Sequence, residues 1–204
     1  TETLKKCLDA IAKSSYENYE VIIVENNSTE EATFSFYKKI ESDKIRVVYY
    51  PDAFNYSKLN NFGASYANGT YYILMNNDIE VIETNWIEQM LSNCERREVG
   101  VVGARLYYPD NTIQHAGLVV GVGGSLRGIG ANLYQGMRRE RSGYMHRAAI
   151  QMNYSAVTAA LLMVKKEVYD KVNGFEEELS VAFNDVDFCL RVREAGYLIV
   201  YDPR

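Results

Sequence analysis

The chain has 204 residues, 47% of them hydrophobic, with 22 basic against 27 acidic side chains and a formal net charge of -5. That is enough apolar material for one substantial core, so a single domain over residues 1–204 is expected. The acidic balance speaks against a general nucleic-acid binder, which shows a basic face, and no apolar run approaches the roughly 20 residues that span a bilayer; sugars, nucleotides or metabolites are the expected partners.

In chain order, "LKKCLDAIAKS" sets Leu4, Cys7, Leu8 and Ile11 at helical spacing, and the β-branched run Val21 to Val24 follows as a strand. "EEATFSFYKKIES" with "KIRVVYY", and "SKLNNFGASYANG" with "TYYILM", repeat the order helix then strand, with Gly69 where a helix C-terminal glycine would sit. Such alternation predicts an α/β fold, a mostly parallel mixed sheet covered by helices. The chain opens on a helix where a unit of this type opens on a buried strand, so a first strand is expected to be missing. Next come a helix with Trp86, Met90 and Leu91 on one face, a strand at Val99 to Val102, and a hairpin turning at Pro109, Asp110 and Asn111. This hairpin is expected to add antiparallel strands at one side of the sheet. Residues 123–150 lose periodicity and carry Arg127, Arg138, Arg139, Arg141 and Arg147, the profile of a long surface loop, either solvated or able to grip an acidic group. A strand and a helix closed by Gly174 follow, then a helix with an Asp-rich start and a Gly196 stop, and the strand "LIVY". Cys7, Cys94 and Cys189 are odd in number and set in apolar contexts, which reads as reduced core thiols and suits a cytoplasmic location.

In open sheets of this kind ligands bind beyond the carboxyl ends of the strands. Two polar clusters stand there: Glu25, Asn26 and Asn27 after one strand, and Asn76, Asn77 and Asp78 after another. Carboxylates so placed can bond a base or ribose and hold a divalent cation on phosphate oxygens, although Asn and Asp also simply make turns. No GxxxxGK[ST] and no complete GxGxxG occurs around Gly121, Gly123, Gly124, Gly128 and Gly130, which argues against P-loop and dinucleotide chemistry. Neither histidine nor any cysteine has zinc-ligand spacing. His115 is a candidate for orienting an acceptor or leaving group, with a structural role as the alternative.

The stretches "CLDAIAKSSYENYEVIIVENNST", "FNYSKLNNFGASYANGTYYILMNNDIEV", "VGVVGARLYYPDNTIQHAG" and "VAFNDVDFCLRVREAGYLIVYDP" together resemble family 2 glycosyltransferases, closest to rhamnosyltransferase-like and O-antigen-type members. The resemblance runs over nearly the whole chain in order and spacing. It implies a GT-A fold with a nucleotide-sugar-binding half over 1–103 and an acceptor-binding, catalytic half over 104–204. It further implies inverting transfer from a nucleotide-diphospho-sugar, with UDP- or dTDP-sugars expected, to a saccharide or lipid-linked saccharide, and Mg2+ or Mn2+ as cofactor. Glu25 matches the strand-end acid that contacts the base, where Asp is usual. Asn76, Asn77 and Asp78 match the metal and ribose motif, with Asp78 its only acid, so the expected site is a weak one that donor phosphates complete. Asn55, Ser57 and Asn60 match a segment beside the donor pocket and can equally serve as helix caps. Asp185 takes the catalytic-base position, with Asn184 where Glu is usual and Asp187 in support. On an ideal helix Asp185 and Asp187 lie about 200° apart, so only one can face a reacting hydroxyl.

The family's opening strand and a histidine beyond its last strand have no counterpart in this sequence, which leads to the expectation of a segment of a longer enzyme. Peripheral membrane association is expected only through regions outside it, at the cytoplasmic face of the inner membrane. The expected role is cell-surface polysaccharide biosynthesis. The alternatives are a non-catalytic nucleotide-sugar-binding module and, less well matched, a sugar nucleotidyltransferase.

Overall fold

In the computed structural model, which describes residues 1–121 and 130–204, helices and strands alternate from the start. Helix α1 (Glu2–Ile11) leads into β1 (Val21–Glu25), α2 (Glu31–Ile40) into β2 (Ile45–Tyr49), and α3 (Tyr56–Tyr66) into β3 (Tyr71–Met75). Then come α4 (Trp86–Cys94), β4 (Val99–Ala104), and the short strands β5 (Leu106–Tyr107), β6 (Ile113–His115), β7 (Leu118–Val120), β8 (Gly130–Asn132) and β9 (Met152–Asn153). The chain ends with β10 (Leu161–Lys165), α5 (Lys166–Lys171), α6 (Asn184–Glu194) and β11 (Leu198–Asp202).

Strands β1 and β2 pair in parallel by themselves, and the main sheet has the order β3-β10-β4-β11-β9. In it β3, β4 and β11 point one way while β10 and β9 run against them, so the sheet is mixed. Every residue of β4 and β10 is buried, as expected for central strands covered on both faces. Alternation along β10 sorts the core into two layers. Leu162 and Val164 pack with Val168, Phe188 and Val192 of α5 and α6, and Leu161 and Met163 pack with Trp86, Met90 and Cys94 of α4.

The structure corrects the sequence reading at several points. One antiparallel strand, β10, enters the middle of the sheet and another, β9, joins its edge, whereas the 109–111 hairpin forms its own two-stranded sheet, β5-β6. Gly69 is not a helix stop: α3 ends at Tyr66, Ala67 leaves it extended, and Gly69 has no positive φ. The segment expected to be all loop contains β8, paired with β7, and residues 136–139 hydrogen-bond along 111–113. Gly123, Gly124, Arg127 and Gly128 lie outside the described residues. Gly196 (φ 95) does follow the cap of α6 in the left-handed region, whereas after α5 that place is taken by Asn173 (φ 58), with Gly174 (φ 63) one residue beyond. The three cysteines are free and buried.

Gly103 in β4 is where the fold meets the candidate site. A Cβ there would lie 2.7 Å from both methyls of Val157, in the turn that precedes β10. Gly103→Ala is therefore expected to displace that turn and to lower stability by about 1–3 kcal/mol, read from the urea midpoint at unchanged m-value.

Candidate active site

The reversal of β10 decides what stands together. Because β10 pairs antiparallel with β3, Leu161 at its start lies opposite Met75 at the end of β3. The turn at residues 157–160 is thereby laid against the Asn76 cluster, and the Asn76 amide donates to the Ala160 carbonyl at 2.9 Å. From the other side of the same turn, the Ala159 amide donates to Asp185 Oδ2 at 3.4 Å, and the Thr158 hydroxyl also bonds that carboxylate. Asn76 and Asp185, far apart in sequence, are thus linked through two consecutive alanines, Ala160 and Ala159.

Asp185 is half-buried in the first turn of α6, where its Oδ1 accepts from the Val186 amide at 2.8 Å. Burial pushes its carboxyl above the ordinary Asp range, against the lowering effect of the Val186, Ala159 and Thr158 donors. Asn184 and Asp185 do not cap α6. The residue before the helix is Phe183, in the left-handed region at φ 62, and the buried Asn184 amide oxygen accepts from the Asp185 amide at 2.8 Å. Asp187 points elsewhere, as the helical geometry predicts. It pairs with Arg191 at 2.8 Å, and Arg191 in turn bonds the carbonyls of Val172 and Gly174.

Asn77 and Asp78 are exposed, and among the described residues no hydrogen bond or ion pair engages the Asp78 carboxylate. Nor do the described residues contain a group of three or more His, Cys, Asp or Glu side chains able to hold a metal. A lone, free, hard-oxygen ligand at a strand end fits Mg2+ or Mn2+ only as a partial shell filled by phosphate and water. The charge of Asp78 and Glu80 adds to burial in raising the Cys7 thiol to about 11, which keeps it protonated and inert near neutral pH.

Glu25 differs from expectation. It is 4% exposed and saturated internally: Tyr37 and both the amide and the hydroxyl of Ser28 donate to it. Burial pushes its carboxyl up, but these three bonds outweigh burial and hold it below the usual range. Its longer side chain has folded back on its own loop, so it shapes the site through Ser28 and Tyr37. Those two residues, with Thr1, Thr3, Leu4, Thr33, Phe36 and Asn77, line a cavity of about 260 Å³ that joins the two strand-end clusters. Ser28, Thr33 and Tyr37 were not singled out from sequence; the i,i+4 spacing of Thr33 and Tyr37 on α2, behind a strand-end acid, is the signal that could have pointed to two of them.

The α3 residues proposed as donor contacts are also engaged. Asn55 caps α3, accepting from the Lys58 amide at 3.0 Å and donating to the Glu177 carbonyl at 2.8 Å. Ser57 is fully buried and donates to the Leu179 carbonyl at 2.6 Å, and Asn60 turns back to the Tyr56 carbonyl at 2.8 Å. With the Tyr56 amide on Ser180 and the Tyr56 hydroxyl on Ala159, this turn of α3 braces the approach to Asp185. Asn61, one residue on, bonds Phe175 through both its amide and its carbonyl, together with Tyr169 and Glu177. His115 is 1% exposed with both ring nitrogens occupied internally, which removes it from direct contact with an acceptor.

The sequence profile of Glycosyl transferase family 2 matches residues 1–169. The chain belongs to this family. It is 46% identical over 196 residues to the protein y4gI of Sinorhizobium fredii and 32% identical over 200 residues to the O-antigen biosynthesis protein RfbC of Myxococcus xanthus. The alignments cover 95% and 98% of this chain, which spans only 21% and 16% of the length of those relatives. In fold it is similar to the Pyrobaculum calidifontis mannosyltransferase PcManGT, solved with GDP-Man and Mn2+ (TM-score 0.69, 14% identity, 99% of this chain and 51% of that one). It also resembles GalNAc-T7, solved with UDP, GalNAc and Mn2+ (TM-score 0.77, 14% identity, 98% and 39%). The architecture is the GT-A fold of glycosyltransferases.

Glu25 gives a pH-dependent prediction. A carboxyl held below its unfolded value of about 4.3 contributes stability that is present above that pH and lost as pH falls through the folded value. Tyr37→Phe removes one charged hydrogen bond and is expected to cost about 1.5–3 kcal/mol at pH 7. The deficit relative to wild type should shrink below pH 4, measured by urea denaturation at both pH values.

Proposed function

We propose that this chain is the catalytic domain of an inverting, metal-dependent glycosyltransferase that moves a sugar from a nucleotide-diphospho-sugar to an acceptor hydroxyl. The observation that carries this reading is the shared turn at 157–160, where the Asn76 amide, two residues before Asp78, is bonded to Ala160 and the Asp185 carboxylate to Ala159. An inverting displacement needs a proton acceptor on one face of the anomeric carbon and a place for the departing diphosphate on the other. Here the acceptor hydroxyl gives its proton to the Asp185 carboxylate as its oxygen bonds the anomeric carbon, and the nucleoside diphosphate leaves from the opposite face. Burial favours this role, since a carboxylate of raised proton affinity is the stronger base. Asp78 would hold Mg2+ or Mn2+, with Asn76 and Asn77 beside it; when bound, the ion neutralises charge on the leaving diphosphate.

The cavity beside Ser28, Phe36, Tyr37 and Asn77 is assigned to the nucleoside, with aromatic and hydroxyl groups suited to a pyrimidine base, and the donor class is a UDP- or dTDP-sugar. The likeness to an O-antigen biosynthesis protein supports a saccharide or lipid-linked saccharide acceptor and a role in bacterial cell-surface polysaccharide assembly, at the cytoplasmic face of the inner membrane. Among the described residues no helix is long and apolar enough to cross a membrane.

The test uses the full-length protein with Mn2+ and a panel of UDP- and dTDP-hexoses, following release of the nucleoside diphosphate. Asp185→Asn, near-isosteric, is expected to lower kcat by about 10²–10⁴ with donor KM little changed. Equal activity in wild type and variant would sink the assignment, no turnover by either would favour a binding module, and pyrophosphate release would identify a nucleotidyltransferase. For the metal, Asp78→Asn is expected to raise the Mn2+ concentration needed for half-maximal rate at least tenfold, while wild type without nucleotide binds Mn2+ weakly. Tight Mn2+ binding by the nucleotide-free protein, measured by calorimetry, would count against a site completed by donor.

A further inference from the structure

His115 is a deeply buried polar side chain that the proposed reaction leaves unused. It ends β6 at 1% exposure, edge-on to the Tyr201 ring at 6.5 Å, and no ion pair reaches it among the described residues. Its Nε2 lies 3.2 Å from the Gly117 amide and 3.3 Å from the Thr158 amide. Amide N–H groups only donate, so Nε2 must carry its lone pair inward, and the ring proton must sit on Nδ1. There it meets Asn132 Oδ1 at 2.8 Å. The tautomer is set from both sides. Burial lowers the imidazole to about 4, against the opposing effect of the Asn132 bond, so the neutral form persists at physiological pH.

We infer that His115 is a positioning residue for the catalytic base: its neutral Nδ1–H tautomer clamps the Thr158 amide, so that the Thr158 hydroxyl and the next amide, that of Ala159, stay aimed at the Asp185 carboxylate. The inference rests on Asp185 being the base. Its geometry is independent of that reading. Reciprocal main-chain bonds between Leu118 and Ala156 hold the two clamped segments alongside, and Thr158 Oγ1 also receives the Ala160 amide at 3.3 Å, which stiffens the turn. Without an acceptor at Nε2, two buried amides would lose their partner and the turn would relax away from Asp185.

Three variants separate positioning from both direct chemistry and bulk packing. His115→Gln keeps an acceptor at the Nε2 position, His115→Asn keeps only a group at the Nδ1 position, and His115→Phe keeps neither. In the full-length protein, nucleoside diphosphate release from a UDP- or dTDP-hexose with Mn2+ is expected to show His115→Gln within about threefold of wild type in kcat. His115→Asn and His115→Phe should lose at least tenfold, with donor KM within twofold for all three. Two-bond 1H–15N spectra of wild type at pH 7 should show a pyridine-like Nε2 and a protonated Nδ1, and hydrogen exchange at the Ala159 amide should quicken in the Asn and Phe variants only. A protonated Nε2, or equal kcat losses in Gln and Asn at matched Tm, would overturn the inference. If Asp185→Asn proves fully active while the tautomer and the Ala159 exchange behave as expected, the base assignment has failed and the clamp has not.

Discussion

One strand direction governs the molecule. Had β10 run parallel to β3 and β4, its first residue would lie at the far end of the sheet and the turn before it would never meet Asn76. Antiparallel insertion costs nothing in ladder bonds, because both neighbours still pair with it, and it brings a residue from late in the chain to the strand ends where the early acidic cluster stands. The close approach also demands glycine at position 103, the one point where the β4 backbone must admit the Val157 methyls. Strand order, glycine and site are thus a single arrangement.

The second theme is how the polar residues around the site are used. Buried hydrogen-bonding groups must be satisfied, and here Asn, Ser and Tyr side chains satisfy main-chain groups of neighbouring loops far more than they wait for ligand. Asn26 and Asn27 tie the loop after β1 to the carbonyls of Tyr50, Pro51 and Asp52, and Asn55, Ser57 and Asn61 tie α3 to residues 175–179. At the strand-end site the side chains of Asn76, Asn77 and Asp78 make no hydrogen bond among the described residues, and Asp185 keeps lone pairs beyond its donors. That contrast between engaged and unengaged polar atoms separates scaffold from chemistry more sharply than residue type does.

Much of this was legible in the sequence because it depends on period and on strand ends. The alternation of helix and strand, the hairpin at 109–111, the glycine stop at 196, and the opposition of Asp185 and Asp187 all follow from local geometry. What escaped depends on long-range pairing. No pattern within "LLMVK" says which way it runs or that it lies between β3 and β4, since a buried strand reads the same in either direction. Nor does the sequence tell an Asn that meets a ligand from an Asn that meets a carbonyl. The family resemblance set Glu25 at a base-contacting position, yet its side chain folds onto Ser28 and Tyr37. His115 was visible as a residue worth explaining, but its meaning lies in Thr158 and Asn132, neither adjacent in sequence.

Helix α3 has a mechanical consequence. It packs on β1 so closely that a Cβ at Gly63 would stand 2.8 Å from a Val24 methyl, and its other side is stapled by Asn55, Ser57 and Asn61 to the segment that feeds α6. The strand carrying Glu25 and the lead-in to Asp185 are therefore pinned to the two sides of a single rod. Relative motion between them would have to break several hydrogen bonds at once. On the opposite wall of the cavity α1 supplies Thr3 and Leu4 and, among the described residues, makes no such staples to the α6 approach. The asymmetry of the candidate site is thus one of fastening: many hydrogen bonds hold one wall, few the other.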